Sequence, residues 1–344
     1  MIPEGRRHWA QTIVVLSLPL ATVATIVLAS ALGPIQTPPR AVLQVLAHVA
    51  GLPTGLPDPV QFHLIHTVRL PRVLLAALSG ATLAVAGAVM QAVFRNPLAE
   101  PGITGVSAGA AAAAVVAIIS GSAAALPWSL PIAAFLGAMG AVAIAQSVTA
   151  LARGSAAMLL LVGIALNALL GAVISLAITN APSAEDAQQA IFWLNGDMTA
   201  ANWDDIRLAT LPALAGMVPL LFFARELNLL LLGDDAAATT GVPTAVIRQI
   251  LLALAALAVA ATVAVTGIIS FVGLVVPHLV RLTLGPDHRR LLPVSMAVGA
   301  IFLVLADLAA RLTFEPVVLQ TGVVTALVGS PILLALIIKQ ARQL

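Results

Sequence analysis

The sequence contains no cysteine, no tyrosine and few charged residues, and these shortages exclude several classes of protein. Without cysteine, the chain has no disulfide bond, no thiolate nucleophile and no cysteine-ligated metal. Charged residues make up 9% of the chain, whereas a soluble domain carries about 25%. The net charge of +2 does not indicate a basic patch. The composition therefore argues against a water-soluble domain and gives no support for a nucleic-acid partner.

The common motifs for nucleotide hydrolysis and metal catalysis are also missing. The sequence has no G-x-x-x-x-G-K-[ST] loop to cradle ATP phosphates and no H-E-x-x-H metal motif. The six histidines are scattered, and the one close pair is His63 and His66. These two are either solvated loop histidines or ligands for a metal or haem. We predict no catalytic residue, no cofactor and no metal site, so any ATP hydrolysis would belong to a separate subunit.

Long apolar runs recur along the whole chain, in which 60% of the residues are hydrophobic. A run of about 20 apolar residues matches a hydrocarbon layer ~30 Å thick. The sequence therefore predicts an all-α polytopic membrane protein with a single transmembrane domain over residues 1–344. About ten spans are expected, at residues 12–32, 71–92, 104–122, 131–151, 157–179, 206–223, 247–266, 268–284, 291–312 and 321–338.

The basic residues orient these spans, because cytoplasmic loops are enriched in lysine and arginine. With the N-terminus in the cytoplasm, eleven of the 16 basic residues lie inside and five lie outside. Both termini are then cytoplasmic, and the first span is an uncleaved membrane helix rather than a signal peptide. The outer exceptions are Arg40, Arg69, Arg72, Arg207 and Arg311.

Three connecting segments are longer than simple turns. Residues 35–68 are rich in proline and glycine and include a short amphipathic helix at about 40–49. The outer segment 180–207 has capping patterns at Ser183–Asp186 and Asn202–Asp205, which predict a surface helix and the start of the sixth span. The inner segment 225–249 breaks at two glycines and predicts two short cytoplasmic helices. Turns between helices need only about two to eight residues, so the inner segment is expected to be a contact surface.

Few polar residues fall inside the spans. Asp307 is the main acidic one, and Arg311 lies one helical turn later, where the two side chains can pair. Asp307 is therefore either structural or part of a proton relay. Small residues recur at every fourth position in two spans and predict close helix packing. Asn167 interrupts one of these stripes and either hydrogen-bonds a neighbouring helix or lines a pathway.

Four separated stretches resemble one family. The stretch RLPRVLLAALSGATLAVAGAVMQAVFRNPLAEPGITGVSAGA resembles the signature of FecCD-type permeases, which belong to binding-protein-dependent importers of iron chelates, haem and cobalamin. The stretch LNLLLLGDDAAATTGV resembles the segment that couples those permeases to their ATPase. GIISFVGLVVPHLVRLTLGPDHRRLLP with ADLAARL, and TGVVTALVGSPILL, match the later motifs. The family usually has a Glu-Leu-Pro-Val-Gly run before the last span, whereas this chain has VLQTG, with Glu315 and Pro316 displaced upstream.

The resemblance implies an assembly and three groups of site residues. Two copies of the chain would form a homodimer with two ATPase subunits inside and one soluble binding protein outside, in the inner membrane. The binding protein would dock on a positive rim formed by Arg69, Arg72 and Arg311. The ATPase would receive the coupling residues Leu229, Leu230, Gly233, Asp234, Asp235 and Gly241. The inner turn between the second and third spans carries Asn96, Pro97, Glu100, Pro101 and Gly102.

The resemblance further implies ATP-driven import of a bulky iron-containing chelate, either haem or a ferric siderophore. Cobalamin is the alternative cargo. An ion-coupled secondary transporter would need more intramembrane acidic residues than Asp307. An intramembrane enzyme would need a nucleophile–base or metal constellation, and the sequence shows none.

Overall fold

The computed structural model describes residues 4–53, 55, 58–126, 128–152, 156–314 and 317–341. Within these ranges the chain is helical and contains no β-strand. The first half of the chain forms α1 Glu4–Ala31, α2 Pro39–Val49, α3 Pro59–Phe62, α4 Leu70–Val93, α5 Val106–Ile119, α6 Ser122–Ala125, α7 Ser129–Leu151 and α8 Ala156–Thr179. The second half forms α9 Ala184–Leu194, α10 Trp203–Leu220, α11 Ala224–Leu231, α12 Asp234–Thr239, α13 Thr244–Thr266, α14 Val272–Leu284, α15 His288–Leu312 and α16 Thr321–Ala341.

The predicted all-helical membrane fold is confirmed. In the described part of the chain, seven helical segments are long and apolar enough to cross a membrane. Three shorter apolar helices, Leu16–Ala31, Val106–Ile119 and Val272–Leu284, coincide with the remaining predicted spans. The expected division between the seventh and eighth spans is also present, because α13 ends at Thr266 and α14 begins at Val272.

Helix α4 occupies the centre of the molecule, where small residues let other helices approach closely. It packs against α15, α13, α14 and α10. A side chain on Gly80 would overlap the carbonyl oxygen of Gly299 in α15. Ala84 and Ala88 are fully buried on the same stripe. The close packing predicted for this stripe is therefore confirmed.

The second predicted stripe, on α8, packs closely at only one of its two glycines. A side chain on Gly163 would overlap the carbonyl oxygen of Ile103, but open space surrounds Gly171. Asn167 Nδ2 donates a hydrogen bond to the Gly102 carbonyl at 3.2 Å. Of the two alternatives for Asn167, a hydrogen bond is present, although its partner is the short turn before α5 rather than a neighbouring span.

The connecting segments follow their predicted capping patterns. Ser183 Oγ accepts a hydrogen bond from Asp186 N at 3.1 Å and begins α9. Asn202 and Asp205 form a capping box at the start of α10. The amphipathic helix expected at about 40–49 is α2, which packs on the C-terminal end of α1. Beside them lies a π-helix, His63–Arg69, that leads into α4.

Candidate functional site

A cluster of buried charges joins three helices near the predicted outer end of the molecule. Asp307 of α15 lies 2.8 Å from Arg72 of α4 and 3.1 Å from Arg311 one turn further along α15. Thr321, the first residue of α16, donates a hydrogen bond to the same carboxylate at 3.0 Å. Asp307 is 1% exposed. One carboxylate therefore fixes α4, α15 and α16 relative to one another.

A third buried arginine, Arg69, is held by main-chain oxygens at the C-terminal end of α1 and in the segment that follows it. Its guanidinium donates to the carbonyls of Ser30 and Ala31 at 3.1 and 2.9 Å, and also to the carbonyl of Ile35. Thr37 Oγ1 accepts a further hydrogen bond at 3.2 Å. Arg311 likewise donates to the carbonyls of Ala29 and Leu32. The contacts with Ala29 and Ser30 give partners to carbonyls in the last turn of α1, which a helix end leaves without intrahelical hydrogen bonds.

The three arginines expected to form a positive rim are buried in the single chain. Arg69, Arg72 and Arg311 are 5%, 7% and 6% exposed. Their guanidinium groups point inward, because carbonyls and the Asp307 carboxylate provide the acceptors that buried charges require. Arg72 and Arg311 share the Asp307 carboxylate, whereas Arg69 contacts only neutral oxygens among the described hydrogen bonds, so these contacts leave the region with a positive excess. Docking at these residues stays a prediction.

The inner turn between α4 and α5 packs against neighbouring helices of the membrane domain. Asn96 Oδ1 accepts a hydrogen bond from Leu98 N at 2.9 Å, and a 3₁₀ turn spans Pro101–Thr104. The backbone of Phe271 lies near the Glu100 carboxyl group. Pro97 and Gly102 are half-buried. The turn therefore contacts both α8 and the break before α14.

The break before α14 borders an open crevice of about 470 Å³. Its wall combines Asn195 after α9, Ser270 in the break, and Ser330 of α16 with apolar residues of the same segments. The chain turns sharply here, with Gly267 at φ +69° and Phe271 at φ +70°. A non-glycine residue with positive φ is uncommon. The turn at these residues places irregular backbone at the wall of the crevice. Irregular backbone inside a membrane is tolerated where it lines such a cavity.

The predicted coupling segment has the expected breaks. Helix α11 ends at Leu231, α12 covers Asp234–Thr239, and α13 begins at Thr244. Gly233 and Gly241 have φ of +113° and +82° at the two breaks. The side chains of Asp234 and Asp235 lie outside the described residues, as do Glu315 and Pro316 before the last span.

The two leucines assigned to coupling are less accessible than expected. Leu230 is 1% exposed and Leu229 is half-buried, because α11 packs against α4 and α15. Leu232, which directly follows α11 and has no distinguishing pattern in the sequence, is 70% exposed.

The two candidate histidines lie in the π-helix at the predicted outer surface. His66 stacks on Phe62 with ring centroids 5.0 Å apart and lies 5.1 Å from the ring of Trp203. Among the residues that the structure describes, no group of three or more histidine or acidic side chains is arranged to hold a metal. The His66 side chain therefore forms an aromatic contact that joins the π-helix to α10.

Comparison with known proteins identifies the family. The FecCD transport family matches residues 21–339. The cobalamin import system permease BtuC of Halobacterium salinarum is 44% identical over 85% of this chain and 78% of that protein. The hemin transport system permease HmuU of Yersinia pestis is 40% identical over 83% of this chain and 86% of that protein.

A further relative and a solved structure agree with these matches. The Fe(3+) dicitrate permease FecD of Escherichia coli is 41% identical over 78% of this chain and 83% of that protein. The solved structure, a metal-chelate type ABC transporter in an inward-facing conformation, has a TM-score of 0.84 and is 33% identical. The alignment covers 95% of this chain and 99% of the other. The chain therefore belongs to the FecCD family of ABC transporter permeases.

Proposed function

We propose that this chain is the transmembrane subunit of an ATP-driven importer for a bulky iron-containing chelate, either haem or a ferric siderophore. The supporting observation is the likeness, over 95% of the chain, to a metal-chelate type ABC transporter. The mixed apolar and polar wall of the crevice suits a large, partly apolar ligand. Cobalamin is the second candidate, favoured by the 44% identity to a cobalamin permease.

The proposed assembly is a homodimer in the inner membrane, with both termini cytoplasmic, two ATPase subunits inside and one binding protein outside. In the single chain, only 17% of the most apolar 18-residue stretch of α8 is buried, and the corresponding share in α16 is 28%. The polar groups of Asn195, Ser270 and Ser330 border the open crevice. Lipid would leave such groups without hydrogen-bond partners, whereas a second copy would enclose a water-filled pathway.

The first prediction tests the proposed function directly. We expect the purified chain to hydrolyse no ATP, because it lacks a phosphate-binding loop. Vesicles that contain the chain and its ATPase should take up cargo from the binding protein when ATP is supplied inside. Uptake of labelled haem, ferric siderophore and cobalamin is measured in parallel. A complex with an ATPase-inactive partner is the control, and ATP hydrolysis by the chain alone would contradict the proposal.

We propose further that residues 225–249 form the coupling surface for the ATPase. The support is the pair of short helices separated by Gly233, where φ is +113°. This surface carries the exposed Leu232. Asp234, Asp235 and Gly241 belong to the same proposed surface.

The second prediction concerns this coupling surface. Gly233→Val is expected to distort it, because a β-branched residue at positive φ is strained by about 1–3 kcal/mol. ATP-driven uptake should fall while the detergent-extracted chain stays folded. Gly51→Val is the matched control, since Gly51 also has positive φ with no atom near an added side chain. Uptake unchanged by Gly233→Val would show that the segment is only a connector.

The third prediction concerns docking of the binding protein near Arg69, Arg72 and Arg311. Because this region retains excess positive charge, it is expected to attract acidic residues of the binding protein. The binding protein should therefore associate faster at low ionic strength. Stopped-flow association is measured at increasing salt, with Arg69→Gln to lower the local charge. Arg207→Gln is the control, since that exposed arginine is paired with Asp204. An association rate indifferent to salt and to Arg69→Gln would limit these arginines to structural roles.

A further inference from the structure

The side chain of Asn228 joins the proposed coupling segment to the first turn of α15. Its Nδ2 donates a hydrogen bond to Asp287 Oδ1 at 2.7 Å. Its Oδ1 accepts a hydrogen bond from His288 N at 3.0 Å and lies 2.7 Å from His288 Nδ1. One amide therefore uses both its donor and its acceptor to connect two segments that lie 59 and 60 residues apart in sequence.

Both sides of this connection are fixed to the protein interior. On α11, Leu227 and Leu230 flank Asn228 and are 0% and 1% exposed. On α15, the His288 side chain is fully buried and reaches the backbone of Ala88 in α4. The Asn228 amide and then the Arg289 N–H lower the pKa of Asp287, so its carboxylate stays ionised as an acceptor. Buried neighbours therefore hold both Asn228 and the first turn of α15 in position.

The opposite end of α15 is held by the Asp307 cluster. Helix α15 has 25 residues, which corresponds to a length of about 37 Å. Near its far end, Asp307 binds Arg72 of α4 and Thr321 of α16. Between the two ends, Gly299 packs directly against Gly80 of α4. Because α15 contacts α4 along its length, a displacement of its inner end would shift the two helices together and so reach the outer end.

We infer that Asn228 is a positioning residue that clamps α11 to α15, so that movement of the coupling segment reaches the outer end of the membrane domain along α15. The inference rests on the proposed function and adds a transmission route to it. In the reverse direction, docking of the binding protein at the outer end would reach the ATPase by the same helix. Coupling between two sites is reciprocal in binding free energy.

The test uses the complete complex of the chain, its ATPase and its binding protein in lipid nanodiscs. The measurement is the ratio of ATP hydrolysis with the binding protein to hydrolysis without it. Asn228→Asp places a carboxylate against Asp287 and is expected to lower this ratio about five- to tenfold, within the usual range of coupling energies. Asn228→Ala removes both hydrogen bonds and should act in the same direction. Asn180→Ala is the control, because Asn180 is exposed and hydrogen-bonds only its own helix in the described contacts.

The decisive variant exchanges the two partners. Asn228→Asp combined with Asp287→Asn restores a donor–acceptor pair, and asparagine caps a helix as well as aspartate does. We expect the double variant to recover the ratio that Asn228→Asp loses. The inference would be overturned if Asn228→Ala kept the wild-type ratio of stimulated to unstimulated ATP hydrolysis, or if the exchanged pair did not recover that ratio. The second outcome would also be seen if Asn228→Asp lost the ratio only because it misfolds. A wild-type complex without any stimulation would instead contradict the proposed function.

Discussion

Asp307→Asn is expected to destabilise the chain more than any change at an exposed charge. The substitution leaves Arg72 and Arg311 buried without the carboxylate that lies 2.8 and 3.1 Å from them. Removing one partner of a buried ion pair costs about 3–5 kcal/mol. Here two guanidinium groups lose the same negative charge, and the single amide oxygen of asparagine must replace two carboxylate oxygens that contact Arg72, Arg311 and Thr321. Thermal unfolding of the detergent-solubilised protein should show a clearly lower midpoint.

The matched control for this prediction is Asp204→Asn. Asp204 pairs with Arg207 at 3.0 Å, but the two side chains are 55% and 76% exposed. An exposed pair contributes about 0–1 kcal/mol, so this variant should unfold close to wild type. Adding Arg72→Gln to Asp307→Asn removes one of the stranded charges and should recover part of the loss. Equal midpoints for Asp307→Asn and Asp204→Asn would mean that the buried cluster contributes nothing to stability.

Gly87→Val is expected to disrupt the packing of α4 against α14. A side chain on Gly87 would overlap the carbonyl oxygen of Gly273, and Gly273 Cα would lie 2.5 Å from the added Cβ. Both obstacles are backbone, so neither can move aside as a flexible side chain would. Overpacking costs about 1–3 kcal/mol, occasionally more, and the rigid contact favours the upper end of this range. The yield of folded protein and its unfolding midpoint should both fall.

Gly140→Val separates this packing effect from the general effect of valine in a helix. Gly140 lies within α7, where an added side chain would meet no atom within 4 Å. Its replacement should leave the yield and the midpoint near the wild-type values. If both variants behave alike, the close approach of α4 and α14 is not required for folding.

The sequence by itself determined the features that depend on neighbouring residues. Apolar runs of about 20 residues set the spans, because each must match the hydrocarbon thickness. The caps at Ser183 and Asn202 were predictable, since a capping side chain bonds the first turn of its own helix. The breaks at Gly233 and Gly241 followed from glycine's access to positive φ. The spacing of Asp307 and Arg311 predicted their ion pair, because residues four apart share a helix face.

Only the tertiary structure decided which distant groups meet. Arg72 and Asp307 are 235 residues apart, and no local pattern indicates that the α4 arginine turns inward to that carboxylate. The sequence suggests that Arg69 is an outer charge, yet it is buried because the last turn of α1 and the segment after it present three carbonyls to its guanidinium. Asn228 resembles any polar residue on a short amphipathic helix until α15 is placed beside it. Capping and helical periodicity act over a few residues, whereas these contacts depend on how the helices pack, which is set by the shape of all their surfaces together.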